Sequence, residues 1–105
     1  MELSQIKKAH FVGVGGIGVS AILRFFAHHG IAISGSDPNL LSREILPYGE
    51  YFETHSAANV PPDADVLIYS QAFPETNIER QAAHVLNIRE LSYPEALAMV
   101  TAPYT

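Results

Sequence analysis

Gly13, Gly15, Gly16 and Gly18 fall within six consecutive residues, and Gly13, Gly15 and Gly18 spell G-x-G-x-x-G. In a strand-to-helix corner each glycine of this pattern has a task. One permits a tight turn, one lets backbone approach a pyrophosphate, and one lets helix and strand pack closely. Free N–H groups and the positive end of the helix dipole then hold the phosphates without basic side chains. The context here fits: Ala9–Val14 is an apolar run, and from Ile17 to His29 apolar residues Ala21, Ile22, Phe25 and Phe26 recur at helical spacing. Asp37 stands nineteen residues beyond Gly18, at the end of the next apolar run. A carboxylate there accepts hydrogen bonds from ribose hydroxyls; a cap before Pro38 is the other reading. The alternative for the glycine loop is a merely tight turn. No Gly-Lys-Ser or Gly-Lys-Thr occurs, so no γ-phosphate loop of the Walker type is present in these residues.

Two further segments hold ligand-like chemistry. His55 and Ser56 follow a short apolar stretch among small polar residues, and ligand contact and a structural role weigh equally there. Ser70-Gln71-Ala72-Phe73-Pro74-Glu75-Thr76-Asn77 offers hydroxyl and amide groups ahead of a helix start, suited to lining a ligand; ordinary turn chemistry is the alternative. His10, His28, His29 and His84 read as structural. No His/Asp/Glu spacing resembles a metal cage, and no nucleophile elbow supports a Ser–His–Asp set. A complete catalytic centre is not visible.

These segments need a scaffold that brings strand ends together. Strands are expected at residues 9–14, Ile31–Ser36, Tyr51–Glu53, Asp65–Ser70 and Ile88–Leu91. Helices are expected from Ile17 with Gly30 as its stop, over Leu40–Leu46 with Asn39 as cap, and from Ile78. The last is expected at Tyr93–Val100, with Pro94 in its first turn. Thr76-Asn77-Ile78-Glu79 matches a capping box. The helix it opens carries Ile78, Ala82, Val85 and Leu86 on one face, and Asn87 ends it. This alternation predicts an α/β fold, a Rossmann-like three-layer sandwich with a mainly parallel sheet of about five strands. Ligands of such sheets bind at the carboxyl ends of the strands, and all the segments above follow a strand.

Composition sets the outer bounds. The 105 residues make one domain. Six Lys+Arg against eleven Asp+Glu give −5, which argues against gripping nucleic acid through phosphate charge. Apolar residues are 48% and charged ones 16%, enough for a core and unlike a disordered chain. No run of about 18 apolar residues exists, so no transmembrane helix is expected. Met1-Glu2-Leu3-Ser4 does not begin a secretory signal, and the absence of cysteine fits a reducing compartment.

Taken in order, these segments resemble the N-terminal domain of the Mur ligases, the alanine-adding branch above all. The matching stretches are His10–Ser20, Ile33–Asp37, His55–Val60 and Asp63 through Asn77. Val19, Pro47, Thr54, Gln71 and Phe73 depart from the family's usual residues. The resemblance implies a Rossmann-like domain that holds a UDP-sugar, UDP-N-acetylmuramate, rather than NAD. It implies that Gly15, Gly16, Ile17, Gly18 and Val19 take the diphosphate. Ser36 and Asp37 would face the uridine, with His55 near the base or ribose. Ser70, Gln71 and Ala72 would line the substrate channel. The parent ligase would use ATP and Mg²⁺ to form an acyl-phosphate on the muramic acid carboxylate, which the amine of L-alanine attacks, in the bacterial cytoplasm. The chain stops about where the linker to the family's Gly-Lys-Thr loop should begin. It is therefore expected to bind but not to ligate, partnered by the remaining ligase domains and by neither nucleic acid nor membrane. Two alternatives stand beside this. One is an NAD(P)-binding regulatory domain using Asp37 on the adenosine ribose. The other is the same domain of the related ligase that attaches recycled tripeptide.

Overall fold

Alternate residues of the first strand point into two different cores, and that alternation builds the three layers. The structure, a computed structural model, describes residues 2–14, 17–38 and 46–101, without the side chains of Ile17 and Leu46. Strand β1 (Lys8–Val12) sends Ala9 and Phe11 to one face and His10 and Val12 to the other. Strand β4 (Val66–Tyr69) repeats this, with Val66 and Ile68 in the first core and Leu67 in the second. Period two is what a strand's pleat dictates.

Strands β2 (Ala32–Ser36), β3 (Gly49–Phe52) and β5 (Arg89–Ser92) complete a five-stranded sheet in the order β3-β2-β1-β4-β5. Every pairing is parallel, so all carboxyl ends lie along one edge. Helix α1 (Ile17–His28) covers one face with Val19, Ile22, Leu23 and Phe26. Helix α3 (Tyr93–Thr101) joins it there through Ala96 and Val100. Helix α2 (Ile78–Val85) and a 3-10 turn, Ala57–Asn59, cover the other. The expected α/β sandwich is thus the one found, with a fully parallel sheet. Gly30 (φ +77°) follows α1 and Asn87 (φ +57°) follows α2, both left-handed stops.

The edges of most elements fall within two residues of the sequence reading. Pro47 lies in a 3-10 turn, Leu46–Tyr48, that leads into β3. The expected helix over Leu40–Leu46 and its Asn39 cap lie outside the described residues, apart from Leu46.

Helix α2 brings two corrections. Its N-cap is Asn77, whose side chain accepts from the N–H groups of Glu79 and Arg80. Thr76 and Glu79 therefore form no capping box, because Glu79 turns inward. The stripe facing the sheet is Glu79 and Ala83. Ile78, Val85 and Leu86 instead stand 50%, 83% and 40% exposed, so the apolar face read from the sequence is mostly an outer one. Ala82, Val85 and Leu86 form with Ala57, Val60 and Pro62 one wall-to-wall apolar groove on that surface.

Candidate ligand-binding crevice

Strand order reverses at β1, which has β2 on one side and β4 on the other. At such a switch point the loops leaving the two strands part in opposite directions and open a crevice at the carboxyl edge. The backbone ladder runs just past the strands to set those loops: Gly13 N–H donates to Ser36 O (2.8 Å), Ser70 N–H to Val12 O (2.9 Å) and Asp37 N–H to Phe52 O (3.0 Å). A cavity of about 250 Å³ lies there, lined by Gly18, Val19, Ser70, Gln71, Tyr93 and Pro94. Its walls are the first turn of α1, the end of β4 and the start of α3. Four of the residues singled out from the sequence therefore meet in one crevice. Tyr93 and Pro94 are added by the fold, since β5 places the α3 start beside β4.

Two glycines make the crevice compact. Gly18 faces the Tyr93 ring so closely that a Cβ would overlap the phenol; its Cζ would stand 2.7 Å away. Gly13 sits at φ +91°, and a Cβ there would stand 2.7 Å from Phe73 Cε2. Phe73 thus closes on the end of β1. Gly15 and Gly16 lie outside the described residues, and Ile17 is described only as the first residue of α1.

The loop after β4 is held from α2. Arg80 places its guanidinium 3.5 Å from the centroid of the Tyr69 ring and donates from Nη1 to Phe73 O (3.1 Å) and from Nε to Glu90 Oε2 (2.6 Å). One planar cation thereby joins β4, its loop and β5. Ala72 N–H donates to Ser70 Oγ (3.3 Å), a local turn bond, and Gln71 and Ala72 are exposed.

On the β2 side of the edge, a polar network replaces apolar packing. Ser34 and Ser36 point to the same face as His10, and Glu79 reaches His10 and Ser36 from α2. The Glu79 carboxylate is fully buried. Its Oε1 accepts from His10 Nε2 (2.5 Å) and Ser36 Oγ (2.8 Å). Its Oε2 accepts from Ser56 N–H (3.1 Å) and Asn59 Nδ2 (3.0 Å) and lies 3.3 Å from His55 Nδ1. Ser34 Oγ completes His10 at Nδ1 (2.7 Å). Burial by itself pushes the Glu79 carboxyl up. The hydrogen bonds from His10, Asn59 and Ser36, with the electrostatic pull of His10, outweigh it and hold the group down at about 2.

Ser36 and His55 are thereby brought together, their Oγ and Nδ1 2.8 Å apart, with Phe73 edge-on to the His55 ring at 4.9 Å. Ser36 is fully buried and its hydroxyl is engaged in this network. Asp37 is also buried, at 7% exposure. His10, read as structural, is a member of the network; Glu79 and Asn59 were not among the expected site residues. The one signal for Glu79 was its place in the helix-start pattern, and that pattern pointed to a local cap. No group of three His, Cys, Asp or Glu among the described residues is placed to hold a metal ion. No helix among them is long and apolar enough to cross a membrane.

Comparison with known proteins agrees with this architecture. The family model described as Mur ligase family, catalytic domain, matches residues 8–105. The UDP-N-acetylmuramate–L-alanine ligase of Chlorobaculum tepidum is 40% identical over 103 residues, 92% of this chain and 21% of that protein. The enzyme of the same name from Thermobifida fusca is 36% identical over 101 residues, 94% of this chain and 21% of that protein. The crystal structure of the UDP-N-acetylmuramate–alanine ligase of Thermotoga maritima superposes with a TM-score of 0.79 at 29% identity, covering 91% of this chain and 23% of that one. The murein peptide ligase of Psychrobacter arcticus, at 19% identity and a TM-score of 0.78, shares the fold over 88% of this chain and 20% of that one. The chain spans about a fifth of the length of these relatives. With its strand order, its glycine corner and a match from residue 8 to residue 105, the chain belongs to the Mur ligase family.

Proposed function

We propose that this chain binds UDP-N-acetylmuramate as the nucleotide-sugar-binding part of an ATP-dependent ligase that adds L-alanine in bacterial peptidoglycan synthesis. The observation that carries the reading is the crevice at the β1/β4 switch point, where the first turn of α1 meets Ser70, Gln71 and Tyr93. At about 250 Å³ it is smaller than the roughly 300–1,000 Å³ of pockets that enclose a drug-sized ligand. It suits a diphosphate, with the uridine and sugar laid along the strand edge. Phosphate oxygens would meet the N–H groups of Gly15, Gly16, Ile17, Gly18 and Val19 at the positive end of α1. Ser36, Asp37 and His55 mark the nucleoside side, and Ser70, Gln71 and Ala72 the sugar side.

The residues present contain no Gly-Lys-Ser or Gly-Lys-Thr loop, so in this reading ATP and Mg²⁺ are held by other segments of the ligase. The work of this part is binding and orientation, in the bacterial cytoplasm, with the remaining ligase domains as partners. Amide chemical shifts of the chain, followed while UDP and then NAD are added, test the reading. UDP moves the resonances of Gly18, Val19 and Asp37, and NAD leaves them in place. Tighter binding of NAD than of UDP would return the chain to the dinucleotide-binding class. Gly16→Val abolishes UDP binding in a folded protein; unchanged affinity would remove the phosphate role from this loop.

A further inference from the structure

Tyr93 lies with its ring over Gly18 in the first turn of α1, where a Cβ would stand 2.7 Å from the phenol Cζ. The last glycine of the G-x-G-x-x-G pattern therefore makes room for a phenol. Among the described residues, the Tyr93 hydroxyl has no hydrogen-bond partner. Unlike Tyr51 Oη, which is shut off from solvent, it stays accessible on a half-buried side chain that lines the crevice. A tyrosine packed this way usually finds a partner for its hydroxyl.

The backbone at the start of α3 is already occupied. Ser92 N–H donates to Glu95 Oε1 (2.8 Å) and Glu95 N–H to Ser92 Oγ (3.3 Å), a reciprocal capping box, and Pro94 has no N–H. What this corner offers a ligand is thus the Tyr93 hydroxyl. No charged side chain lines the crevice, so an anion there meets only neutral side-chain donors: Ser70 Oγ, the Gln71 amide and Tyr93 Oη. The place of Tyr93 across the sheet decides which part of a ligand it meets. Along the carboxyl edge the strands run β2, β1, β4, β5, with Ser36 ending β2, the glycine corner after β1, Ser70 after β4 and Tyr93 after β5. Two strand spacings, about 10 Å, separate β2 from β4. A nucleoside on the β2 side puts its first phosphoryl group at the corner after β1. The second then lies toward Ser70 and Tyr93.

We infer that Tyr93 is a specificity-determining residue: its hydroxyl donates a hydrogen bond to the second phosphoryl group, the one that carries the sugar, and makes the site prefer a nucleoside diphosphate to a monophosphate. The inference rests on the proposed nucleotide-sugar binding and adds to it a residue that lies outside the glycine corner and the segments after β2, β3 and β4.

Calorimetry of the chain with UDP, UMP and uridine, in wild type and Tyr93→Phe, tests it. Phe keeps the ring on Gly18 and removes only the hydroxyl, so urea unfolding of the two proteins coincides. UDP affinity falls about tenfold in Tyr93→Phe, as expected for a hydrogen bond to a charged group, while UMP and uridine bind both proteins equally. A merely space-filling Tyr93 would leave all three affinities unchanged, and that result overturns the inference. Equal losses for UDP and UMP overturn it too, since the hydroxyl would then serve the first phosphoryl group. Wild type that binds neither UDP nor UMP refutes the nucleotide reading and this inference with it, whereas wild-type binding with an indifferent Tyr93→Phe refutes this inference alone. A second measurement needs no variant. In wild type labelled with ¹³C at tyrosine Cζ, saturating UDP shifts the Tyr93 resonance and saturating UMP leaves it in place; equal shifts with both overturn the assignment to the second phosphoryl group.

Discussion

Replacing Glu79 by Gln keeps its shape and removes its charge, and the structure says how stability should then respond to acid. In the folded chain the carboxyl is held down at about 2 against an ordinary 4.5. At about 1.4 kcal/mol for each unit, that difference is worth about 3 kcal/mol of folding free energy. The sign follows from which state takes up the proton first. The unfolded carboxyl protonates near 4.5 while the folded one stays ionised, so the contribution is complete above pH 4.5 and is lost as the pH falls toward 2. A domain with the usual 5–15 kcal/mol total would feel that loss strongly. At neutral pH the variant also suffers, because whichever oxygen becomes an NH₂ meets two donors: His10 and Ser36 on one side, Ser56 and Asn59 on the other. Urea unfolding at pH 7, 5, 4, 3 and 2 measures both. Wild type exceeds Glu79→Gln by at least about 3 kcal/mol at pH 7, and the gap narrows by about that amount toward pH 2. Asp63 and Glu95, also held low by hydrogen bonds, are common to both proteins and drop out of the difference. Curves that run parallel from pH 5 to pH 2 would refute the account of Glu79 as an ionised, network-bound carboxylate.

Further substitutions probe other parts of the frame. Gly18→Ala drives a methyl into the Tyr93 phenol and costs about 1–3 kcal/mol with loss of UDP affinity; Tyr93→Ala in the same chain relieves the clash, so the pair is less than additive in a double-mutant cycle. Arg80→Ala frees the loop after β4, costs about 2–3 kcal/mol and speeds hydrogen exchange at Phe73; Arg80→Lys does not rescue it, because a compact ammonium cannot stack on Tyr69 while serving both Glu90 and Phe73. Phe26→Ala, in the core between α1 and the sheet where its ring meets Phe11 edge-on, costs about 3–5 kcal/mol by denaturation, with UDP affinity per folded molecule unchanged.

The central elements were legible because local pattern and buried environment agree there. Ala9–Val14 and Asp65–Ser70 are apolar runs too short for helices, and both became central strands flanked by partners on each side. Gly30 and Asn87 were readable as stops because left-handed backbone excludes most other residues. Glu79 was misread since Thr76 and Asn77 are both able caps, and its true partner, His10, stands 69 residues earlier. No local rule reaches that far. The same network explains the phase error on α2: a charged residue faces the sheet, so the apolar residues beside it rotate outward. The crevice was legible for its glycine and Ser70 walls, which follow strands directly. Tyr93 and Pro94 were recognised as a helix start, but their place beside Gly18 depends on β5 lying next to β4.

The central position of β1 has a consequence for how the chain is made. Its second neighbour, β4, begins 57 residues later, with Ala9 opposite Val66. At about 5–20 residues per second of synthesis, a ribosome delivers that neighbour roughly 3–12 seconds after β1 has emerged. For that interval a nascent chain has one edge of its middle strand uncovered, and His10 waits for a carboxylate still to be translated. Folding of this unit is therefore expected to close late and all at once, when residues 66–92 arrive to cover that edge and bring Glu79 in with them.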